Sequence, residues 1–442
     1  MHINRIPPHR PHAARPPGRR PRQRRWPWLA AAPLTVCLAA TYPAAAAGTA
    51  ASGPPTLVNC SPPETKEPPC YSPRAYQRAY GVAPLLSRGI DGRGETVVLP
   101  ELAQTPTPRG GPADIRQDLA VFDSKFGLAQ AKLNVVTTIA RSATPYLAND
   151  EEVTDTEMVH AIAPGATIDI VLVPADATSS SANFAAALTK VVQAGVALHA
   201  AVISISASGG EHSFTRAEVT AMNAALERAS DQHVTVVASS GDHGAISDDG
   251  PPRQVSLPGS DPWVLAVGGT ILDAASSGGA YLGEMAWNGG TDGSAGGYSS
   301  LYPRPSYQDG VARIGATRGV PDVAANADPA TAMALAYDDG SLRPATGTSA
   351  STPLWAGVIA LADQQAGHHL GFVNPAIYRI AGSSAYHRAF HDVVTGDNSI
   401  LWPTGVFTGY TAGPGWDAVT GWGSPDAQYL VPLLANAARS GA

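Results

Sequence analysis

Cysteine is scarce in this chain, which has three among its 442 residues. Cys37 lies in an N-terminal apolar segment, and Cys60 and Cys70 lie ten residues apart in a proline-rich stretch. Because an exported chain meets oxidising surroundings, we expect a disulfide between Cys60 and Cys70 that closes a small loop. Two free thiols are the alternative, and the lack of nearby histidines argues against a two-cysteine metal site.

Acidic residues are absent from the first 25 positions, which carry eight arginines. An apolar, alanine-rich run follows from residue 26 to residue 47. A basic start, an apolar stretch and small residues at its end are typical of an export signal. We therefore expect residues 1–47 to be removed and the protein to be secreted to the extracellular space. A retained membrane anchor is the alternative, which Pro33 and Pro43 disfavour.

Basic residues are few in the rest of the chain. Without the eight N-terminal arginines, 21 basic residues face 36 acidic ones, a net charge of −15. Because nucleic acid is itself strongly negative, no nucleic-acid partner is expected. Hydrophobic residues make up 44% of the chain, which suffices for a large core.

The remaining chain predicts one large α/β domain from residue 76 to residue 442, preceded by a proline-rich linker at 48–75 that holds the Cys60–Cys70 loop. Strand-like and helical segments alternate, which favours a parallel sheet covered by helices on both faces. The stretch from 270 to 345 is rich in glycine and predicts loops. The predicted strands run from 96 to 99, 168 to 173, 201 to 206 and 234 to 239, and the predicted helices from 151 to 162, 183 to 196 and 216 to 231.

Ser349 lies between a glycine-containing turn and the apolar run 354–362, which predicts a helix. Backbone N–H groups at a helix N-terminus favour developing negative charge, so Ser349 is a candidate nucleophile. A plain helix cap is the alternative, since serine is common in that position.

Carboxylates supply candidate partners for this serine. Glu151 and Asp155 are four residues apart on a predicted helix and face the same way. Such a pair is either a solvated helix face or two acids that share a proton, one of them acting as a base. Asp242 follows the strand at 234–239, at an end of the sheet where functional groups gather. An ordinary turn aspartate is the alternative there.

Four motifs, taken in order, resemble those of the sedolisins, the serine-carboxyl peptidases. They are Glu151–Glu157 leading into Ala163–Ala166, Ser239–Asp242, Gly347–Ala350, and Asp392-Val393 with Gly413–Asp417. The connecting stretches at 296–299, 302–305 and 319–323 agree as well. The resemblance runs from about Tyr76 to the C-terminus. It implies a subtilisin-like α/β fold with a mostly parallel central sheet and helices on both faces.

The resemblance also implies an activity, the hydrolysis of peptide bonds in peptide or protein substrates. Ser349 attacks the scissile carbonyl, and Glu151 accepts its proton and later returns it to the leaving amine. Asp155 hydrogen-bonds Glu151 and keeps it poised. Asp242 is protonated and, with the Ser349 backbone N–H, stabilises the oxyanion, so activity is expected at acidic pH. Glu101, just beyond the first strand, lies where some relatives extend this carboxyl chain.

One structural calcium ion is implied in the same way. Its expected ligands are the carboxylates of Asp392 and Asp417 and the carbonyl oxygens of Val393, Gly413 and Gly415, because hard oxygen donors suit this ion. Without the resemblance, Asp392 and Asp417 would be interpreted as two ordinary turn aspartates.

Three features depart from the family pattern. About thirty residues separate the export segment from residue 76, too few for the family's long pro-segment, so the chain folds unassisted or with a separate helper. Ala207 stands where relatives often have tryptophan near the catalytic glutamate, which affects the shape of the pocket. His243 adjoins Asp242, and we expect a small effect because adjacent side chains in an extended segment point apart.

Other functions remain open. A subtilisin proper needs a histidine base, but His160 lies more than a turn from Glu151, and the pair His368-His369 is most simply solvated. A secreted binding protein could keep the fold without the chemistry, although the four intact catalytic positions oppose this. Within the peptidases, an endopeptidase is favoured and a tripeptidyl peptidase is the alternative. The protein is expected to be a monomer.

Overall fold

The computed structural model describes residues 56–60, 69–103, 114–140, 149–247 and 249–440, with backbone only for 438–440. These residues belong to one structural unit, Ser52–Ala442. The predicted export segment at 1–47 lies outside the described residues.

The helices and strands alternate along the first half of the chain and shorten in the second. The strands are β1 (Leu57–Val58), β2 (Cys70–Tyr71), β3 (Thr96–Leu102), β4 (Lys132–Val136), β5 (Thr167–Val173), β6 (Val202–Ile205), β7 (Gly209–Gly210), β8 (Thr235–Ser239), β9 (Ser256–Leu257), β10 (Leu265–Ala274), β11 (Tyr281–Ala286), β12 (Gly297–Pro303), β13 (Thr317–Val320), β14 (Val323–Asn326), β15 (Ala334–Ala336), β16 (Leu342–Pro344), β17 (Phe390–His391), β18 (Ile400–Trp402), β19 (Gly405–Phe407) and β20 (Ser424–Pro425). The helices are α1 (Pro73–Ala79), α2 (Ala83–Leu86), α3 (Ile115–Phe126), α4 (Asp150–Ile162), α5 (Ser181–Ala197), α6 (Arg216–Asp231), α7 (Thr348–Ala366), α8 (Asn374–Ala381), α9 (Tyr386–Ala389) and α10 (Ala427–Ser440).

Eight strands form one central sheet, in the order β11-β10-β8-β6-β3-β5-β4, with β14 also paired to β10. Every pair in it is parallel except β10 with β11. The prediction of a mostly parallel sheet is therefore confirmed. Because strand ends on one side of a parallel sheet all point the same way, residues that follow β3, β6 and β8 meet at one edge.

Helices cover both faces of this sheet, as predicted. Val97 and Leu99 of β3 pack into the core beneath α4 and α7, whereas Val98 between them packs into the core beneath α5 and α6. Strands buried on both faces must be apolar at consecutive positions, which is why they read as continuous hydrophobic runs. Within the described residues, no helix is both long enough and apolar enough to cross a membrane.

The predicted helices are found within two residues of their expected bounds. Each of α4, α5 and α6 begins after a side chain that accepts a backbone N–H of the first turn, namely Asn149, Ser180 and Thr215. Such caps satisfy N–H groups that have no partner inside the helix. The strand predicted at 96–99 runs on to Leu102, so that Glu101 lies inside β3 instead of beyond it.

The glycine-rich stretch from 270 to 345 is not the loop region that its composition predicts. It holds half of β10 and all of β11 to β16, and β14 lies inside the central sheet. Gly319 of β13 shows the reason, because a Cβ on it would lie 2.5 Å from the Trp416 ring. Glycine here allows close packing of strands, a use that composition does not distinguish from a loop.

The predicted linker is also shorter than expected. β1 pairs with β2, Cys60 and Cys70 form the expected disulfide, and α1 already begins at Pro73. The Tyr71 hydroxyl donates to the Ala274 carbonyl at 2.9 Å, which fastens this hairpin to the end of β10. The folded domain therefore begins before residue 76.

Glu284 of β11 sits in a network of hydroxyl groups. It accepts hydrogen bonds from Tyr80 at 2.8 Å and Thr270 at 2.7 Å, and it also bonds Ser424. Burial raises the pKa of this carboxyl to about 7, against the lowering effect of its hydrogen bonds. Burial likewise raises the pKa of Asp363, near the end of α7, to about 8.

These two acids predict that the fold loses stability as the solution becomes neutral. A carboxyl whose pKa is raised by folding stabilises the folded state fully below the unfolded pKa, and this contribution disappears as the pH rises through the folded value, here about 7 for Glu284. We expect the melting temperature to be a few degrees lower at about pH 8 than at about pH 5. Glu284→Gln, which mimics the neutral acid, should reduce that difference in thermal unfolding followed by circular dichroism. An unchanged difference would assign the pH dependence to other groups.

Candidate active site

Ser349 is the second residue of α7, close to the carboxyl edge of the sheet. Gly347 precedes the helix with a φ of 77°, in the region that favours glycine. The Ser349 N–H belongs to the first turn, which has no acceptor inside the helix. The prediction of a serine at a helix N-terminus is confirmed, and its N–H is available to an anion.

The hydroxyl of Ser349 is held beside α4. It hydrogen-bonds the Glu151 carboxyl and donates to the Ser206 carbonyl at 3.3 Å. Ser206 directly follows β6, and its own hydroxyl donates to the Ser349 carbonyl at 3.4 Å. That carbonyl is free to accept because Pro353, four residues on, has no N–H to close the helical turn.

Glu151 lies in the first turn of α4, where the helix favours negative charge. It keeps exposed surface in the cleft, yet protein atoms surround the carboxyl on most sides. This desolvation is the main reason why the pKa of Glu151 is raised to about 7; the hydrogen bond from Ser349 lowers the pKa, and the nearby charge of Asp242 raises it. Glu151 therefore stays protonated to a higher pH than an ordinary glutamate does.

Asp155 and Glu101 extend this group into the interior, with 1% and 3% of their surfaces exposed. They hydrogen-bond each other, and the Ser206 hydroxyl donates to Asp155 at 2.7 Å. Burial is the main cause that raises the pKa of each, followed by repulsion from the neighbouring acid. Because carboxyls in contact cannot all ionise together, the cluster retains protons and titrates as a unit.

Asp242 contacts Thr348, the residue before Ser349. Its Oδ1 accepts the Thr348 backbone N–H at 2.8 Å and the Thr348 hydroxyl at 2.6 Å. Gly293 N–H donates to the Asp242 carbonyl at 2.7 Å and fixes the loop. A Cβ on Gly347 would lie 2.6 Å from Oδ2, so only glycine admits the carboxyl here. Asp242 thus lies next to the N–H groups at the start of α7.

The structure brings together all four residues predicted to be catalytic, from α4, from the loop after β8 and from α7. The sequence analysis placed Glu101 at the edge of this group, whereas in the structure Glu101 is part of the group and contacts Asp155. Two contributors were missed, Ser206 and Thr348. The position of Ser206 at the carboxyl end of a predicted strand was a signal that could have identified it.

The histidines weighed as a subtilisin-type base do not contact Ser349. His160 is fully buried, and its Nε2 lies 2.8 Å from Asp123 and 3.0 Å from the Ala129 carbonyl. It is a packing residue, as expected. His368 is exposed as predicted, whereas His369 is partly buried, with Nε2 3.3 Å from Glu95. A histidine base of the subtilisin type therefore does not face Ser349 among the described residues.

The predicted calcium ligands also come together, near the C-terminus. Gly415 N–H donates to both Asp392 oxygens, at 3.2 and 3.1 Å, and Gly413 N–H donates to Asp417 at 3.0 Å. Asp417 is 1% exposed. The Val419 and Thr420 N–H groups also donate to Asp417, at 2.9 Å each. Two carboxylates therefore lie around one turn, and carboxylate oxygens are ligands that calcium prefers.

Comparisons with known proteins agree with this geometry. The sequence pattern of the subtilase family matches residues 135–423. Kumamolisin from Bacillus sp. (strain MN-32) is 34% identical over 394 residues, which cover 85% of this chain and 66% of kumamolisin. Sedolisin from Pseudomonas sp. (strain 101) is 32% identical over 336 residues, covering 72% and 55%. Human tripeptidyl-peptidase 1 is 31% identical over 269 residues, covering 53% and 43%.

A solved structure is similar as well. Pseudomonas sedolisin, a serine-carboxyl proteinase complexed with two molecules of pseudo-iodotyrostatin, superposes with a TM-score of 0.68 at 28% identity, covering 85% of this chain and 99% of that one. The chain spans 43% to 66% of the length of the curated relatives named above. The matched region includes every predicted catalytic residue, and the chain belongs to the subtilase family, within its sedolisin group of serine-carboxyl peptidases.

Proposed function

We propose that this protein is a secreted serine-carboxyl endopeptidase that cleaves peptide bonds at acidic pH. The observation that carries the proposal is the Ser349 hydroxyl, which hydrogen-bonds Glu151 while Asp242 accepts the N–H of the neighbouring Thr348. A nucleophile, a base and an oxyanion donor are thereby in reach of one carbonyl group. Export rests on the arginine-rich and apolar N-terminal pattern.

In the proposed reaction, Ser349 Oγ bonds to the scissile carbonyl carbon and its proton passes to Glu151. The carbonyl oxygen becomes an oxyanion, to which the neutral Asp242 carboxyl and the Ser349 N–H donate. As the C–N bond breaks, Glu151 returns the proton to the leaving amine. Water then attacks the Ser349 ester with Glu151 again taking the proton, and the acid product leaves as Ser349 is restored.

Acidic operation follows from the charges of Glu151 and Asp242. The reactive state has a single proton on this pair, carried by Asp242. Below the first ionisation both are neutral and no base exists; above the second both are charged and no donor exists. Burial and the charge of an ionised Asp242 raise the pKa of Glu151 to about 7, so this value marks the loss of the last proton from the pair, and we expect activity to fall as the pH rises through it.

Asp242→Asn tests this role. An amide donates a hydrogen bond at every pH, so we expect the variant to keep its activity above about pH 7, where the parent protein loses it. Asp242→Ala removes the donor and should lower kcat by about 10²- to 10³-fold. Hydrolysis of denatured haemoglobin, measured between about pH 3 and about pH 9, tests the expectations for both variants. An alkaline optimum in the parent protein would contradict the role given to Asp242.

A tripeptidyl peptidase is the second candidate, favoured by the similarity to tripeptidyl-peptidase 1. Mass spectrometry of the products from one peptide with a free N-terminus and the same peptide with a blocked one separates the two modes. Internal cleavage of both peptides indicates an endopeptidase, whereas tripeptides released from the free form alone indicate a tripeptidyl peptidase.

We also propose that Asp392, Val393, Gly413, Gly415 and Asp417 bind one calcium ion that stabilises the C-terminal loop. Binding to the folded state alone stabilises it by roughly 2.7 kcal/mol when free calcium is about 100 times Kd. A chelator should therefore lower the melting temperature, and added calcium should restore it. Asp417→Asn should abolish this response, while Asp309→Asn, at an exposed residue paired with Arg304, should retain it. A melting temperature indifferent to the chelator would exclude a stabilising ion.

A further inference from the structure

A β-hairpin near the C-terminus exposes apolar side chains to solvent. It is formed by β18 and β19, which pair Ile400 with Phe407 and Leu401 with Val406. Because side chains alternate across a strand, Leu401 and Val406 share one face, whereas Ile400 lies on the other and is 1% exposed. Leu401 is 55% exposed, and Val406, at 72%, has the largest exposed fraction of the large hydrophobic residues that the structure describes. We call this pair the hairpin face.

Charge is missing from the sequence around the hairpin face. No charged residue occurs from Asn398 to Trp416, although charged residues make up 15% of the chain. Exposed strands in natural proteins often carry charged residues, lysine above all, that discourage contact with other chains. A single exposed apolar side chain is ordinary. Two that lie directly opposite each other on an uncharged hairpin form a surface on which another apolar group can be buried.

The base of the hairpin lies against the loop that fixes Asp242. The Gly293 N–H donates to the Asp242 carbonyl at 2.7 Å. Ile400 lies beside the same glycine, since a Cβ on Gly293 would be 3.8 Å from Ile400 Cγ2. The Leu401 N–H donates to the Gly290 carbonyl at 2.6 Å. The hairpin is therefore joined by direct contacts to the loop that holds the proposed oxyanion donor.

A second loop holds the chain on the other side of the hairpin. The Arg253 guanidinium donates to the Thr408 carbonyl at 2.6 Å and lies 5.0 Å from the centre of the Tyr410 ring. The Trp402 ring lies against Gly250, where a Cβ would be 2.7 Å from it. Because these contacts fix the hairpin in advance, a chain that binds to the hairpin face loses little free energy to ordering it.

The hairpin face lies within reach of a chain that is bound at Ser349. Gly293 contacts both Asp242 and Ile400, so two steps of about 5 Å each separate the oxyanion donor from the hairpin. An extended chain advances about 3.3 Å per residue. A substrate with roughly four to six residues beyond the site can therefore place a side chain on the hairpin face, whereas a shorter one cannot.

We propose that the hairpin face is a docking surface for apolar segments of unfolded protein substrates, several residues away from the bond that is cut. This inference rests on the proposed peptidase function. Unfolding exposes the apolar side chains that a folded protein buries, so an apolar surface beside the site favours unfolded chains over folded ones. Covering two aliphatic side chains in this way changes the apparent affinity by roughly 10- to 100-fold.

The test replaces the hairpin face without changing the site. The double variant Leu401→Thr with Val406→Thr makes the face polar and keeps residues that strands favour. Leu282→Thr is the matched control, because Leu282 is 62% exposed on β11, at the edge of the central sheet. Each protein is assayed on denatured haemoglobin and on a hexapeptide cut at its centre, which is too short to reach the hairpin. Circular dichroism checks the fold, and the two single variants serve if the double variant is unstable.

We expect the double variant to lose roughly 10-fold or more in kcat/KM toward denatured haemoglobin, through a higher KM, and to cleave the hexapeptide as the parent protein does. The Leu282→Thr protein should match the parent on both substrates. An equal effect on the two substrates, no effect on either, or the same loss in Leu282→Thr would overturn the docking surface while leaving the peptidase function standing.

Failure of the peptidase function itself has a different signature, since no protein would then cleave the hexapeptide. Binding of the Ser349→Ala protein to immobilised denatured haemoglobin, measured by surface plasmon resonance, still reports on the hairpin face. Binding that weakens roughly 10-fold when the two threonines are added would support the docking surface, and unchanged or absent binding would reject it. A dimer in sedimentation velocity that only the double variant abolishes would assign the face to a second copy of this chain instead.

Discussion

Replacing Ser349 with alanine should abolish peptide hydrolysis while the protein stays folded. The hydroxyl oxygen bonds to the substrate in the proposed reaction. Because Ser349 acts together with Glu151 and Asp242, its removal also removes what those two residues contribute to catalysis. We expect kcat to fall on the order of 10⁶-fold, with only the contribution of binding and the oxyanion donors remaining. Hydrolysis of denatured haemoglobin at acidic pH measures the loss, and circular dichroism checks the fold.

Ser351→Ala is the matched control for this variant. Ser351 lies in the same turn of α7, is fully buried, and donates to the Thr348 carbonyl at 3.0 Å. Its loss should cost about 1 kcal/mol of stability and leave hydrolysis intact. Activity in the Ser349→Ala protein would remove Ser349 as the nucleophile. Inactivity of the parent protein as well would favour the alternative, a binding protein built on the same fold.

Replacing Glu151 with glutamine should have the second-largest effect. Glutamine keeps the size of the side chain and can still accept a hydrogen bond from Ser349, but it cannot take up the proton. We expect a loss of about 10⁴-fold in kcat. Because no pH restores a base to glutamine, the residual activity should lack the acid-side fall that complete protonation of the Glu151–Asp242 pair produces in the parent protein.

A neighbouring acid supplies the control for this variant. Asp150 precedes Glu151 in the first turn of α4, but its carboxyl is exposed and pairs with Arg343 at 3.1 Å. Asp150→Asn should leave kcat and its pH dependence unchanged. If Glu151→Gln retained the parent pH profile with only a modest loss, Glu151 would orient the site without transferring the proton, and another carboxyl of the cluster would be the base.

The candidate catalytic residues could be picked from the sequence because each lies in a recognisable local pattern. Ser349 was indicated by the turn before it and the apolar run after it, and Glu151 with Asp155 by helical spacing. Asp242 was indicated by its place after a strand. Local sequence cannot show which of these residues meet in the folded protein, because that depends on the order of strands in the sheet. The resemblance to the sedolisins supplied this missing information.

Other parts of the site could not be read from the sequence. Glu101 was placed after its strand and lies within it, because the pairing of β3 with β5 continues to Leu102. The contribution of Thr348 depends on the approach of Asp242 from a loop about one hundred residues away. The strands at 270–345 were missed because glycine serves close packing there, and periodicity in short segments is weak.

Glu151, Asp242 and Ser349 lie far apart along the chain and meet only at the edge of the completed sheet. Under the proposed function, a chain that is still being synthesised therefore has no complete active site until α7 has arrived and packed. Cleavage of other chains would begin only after the last of the three segments is in place.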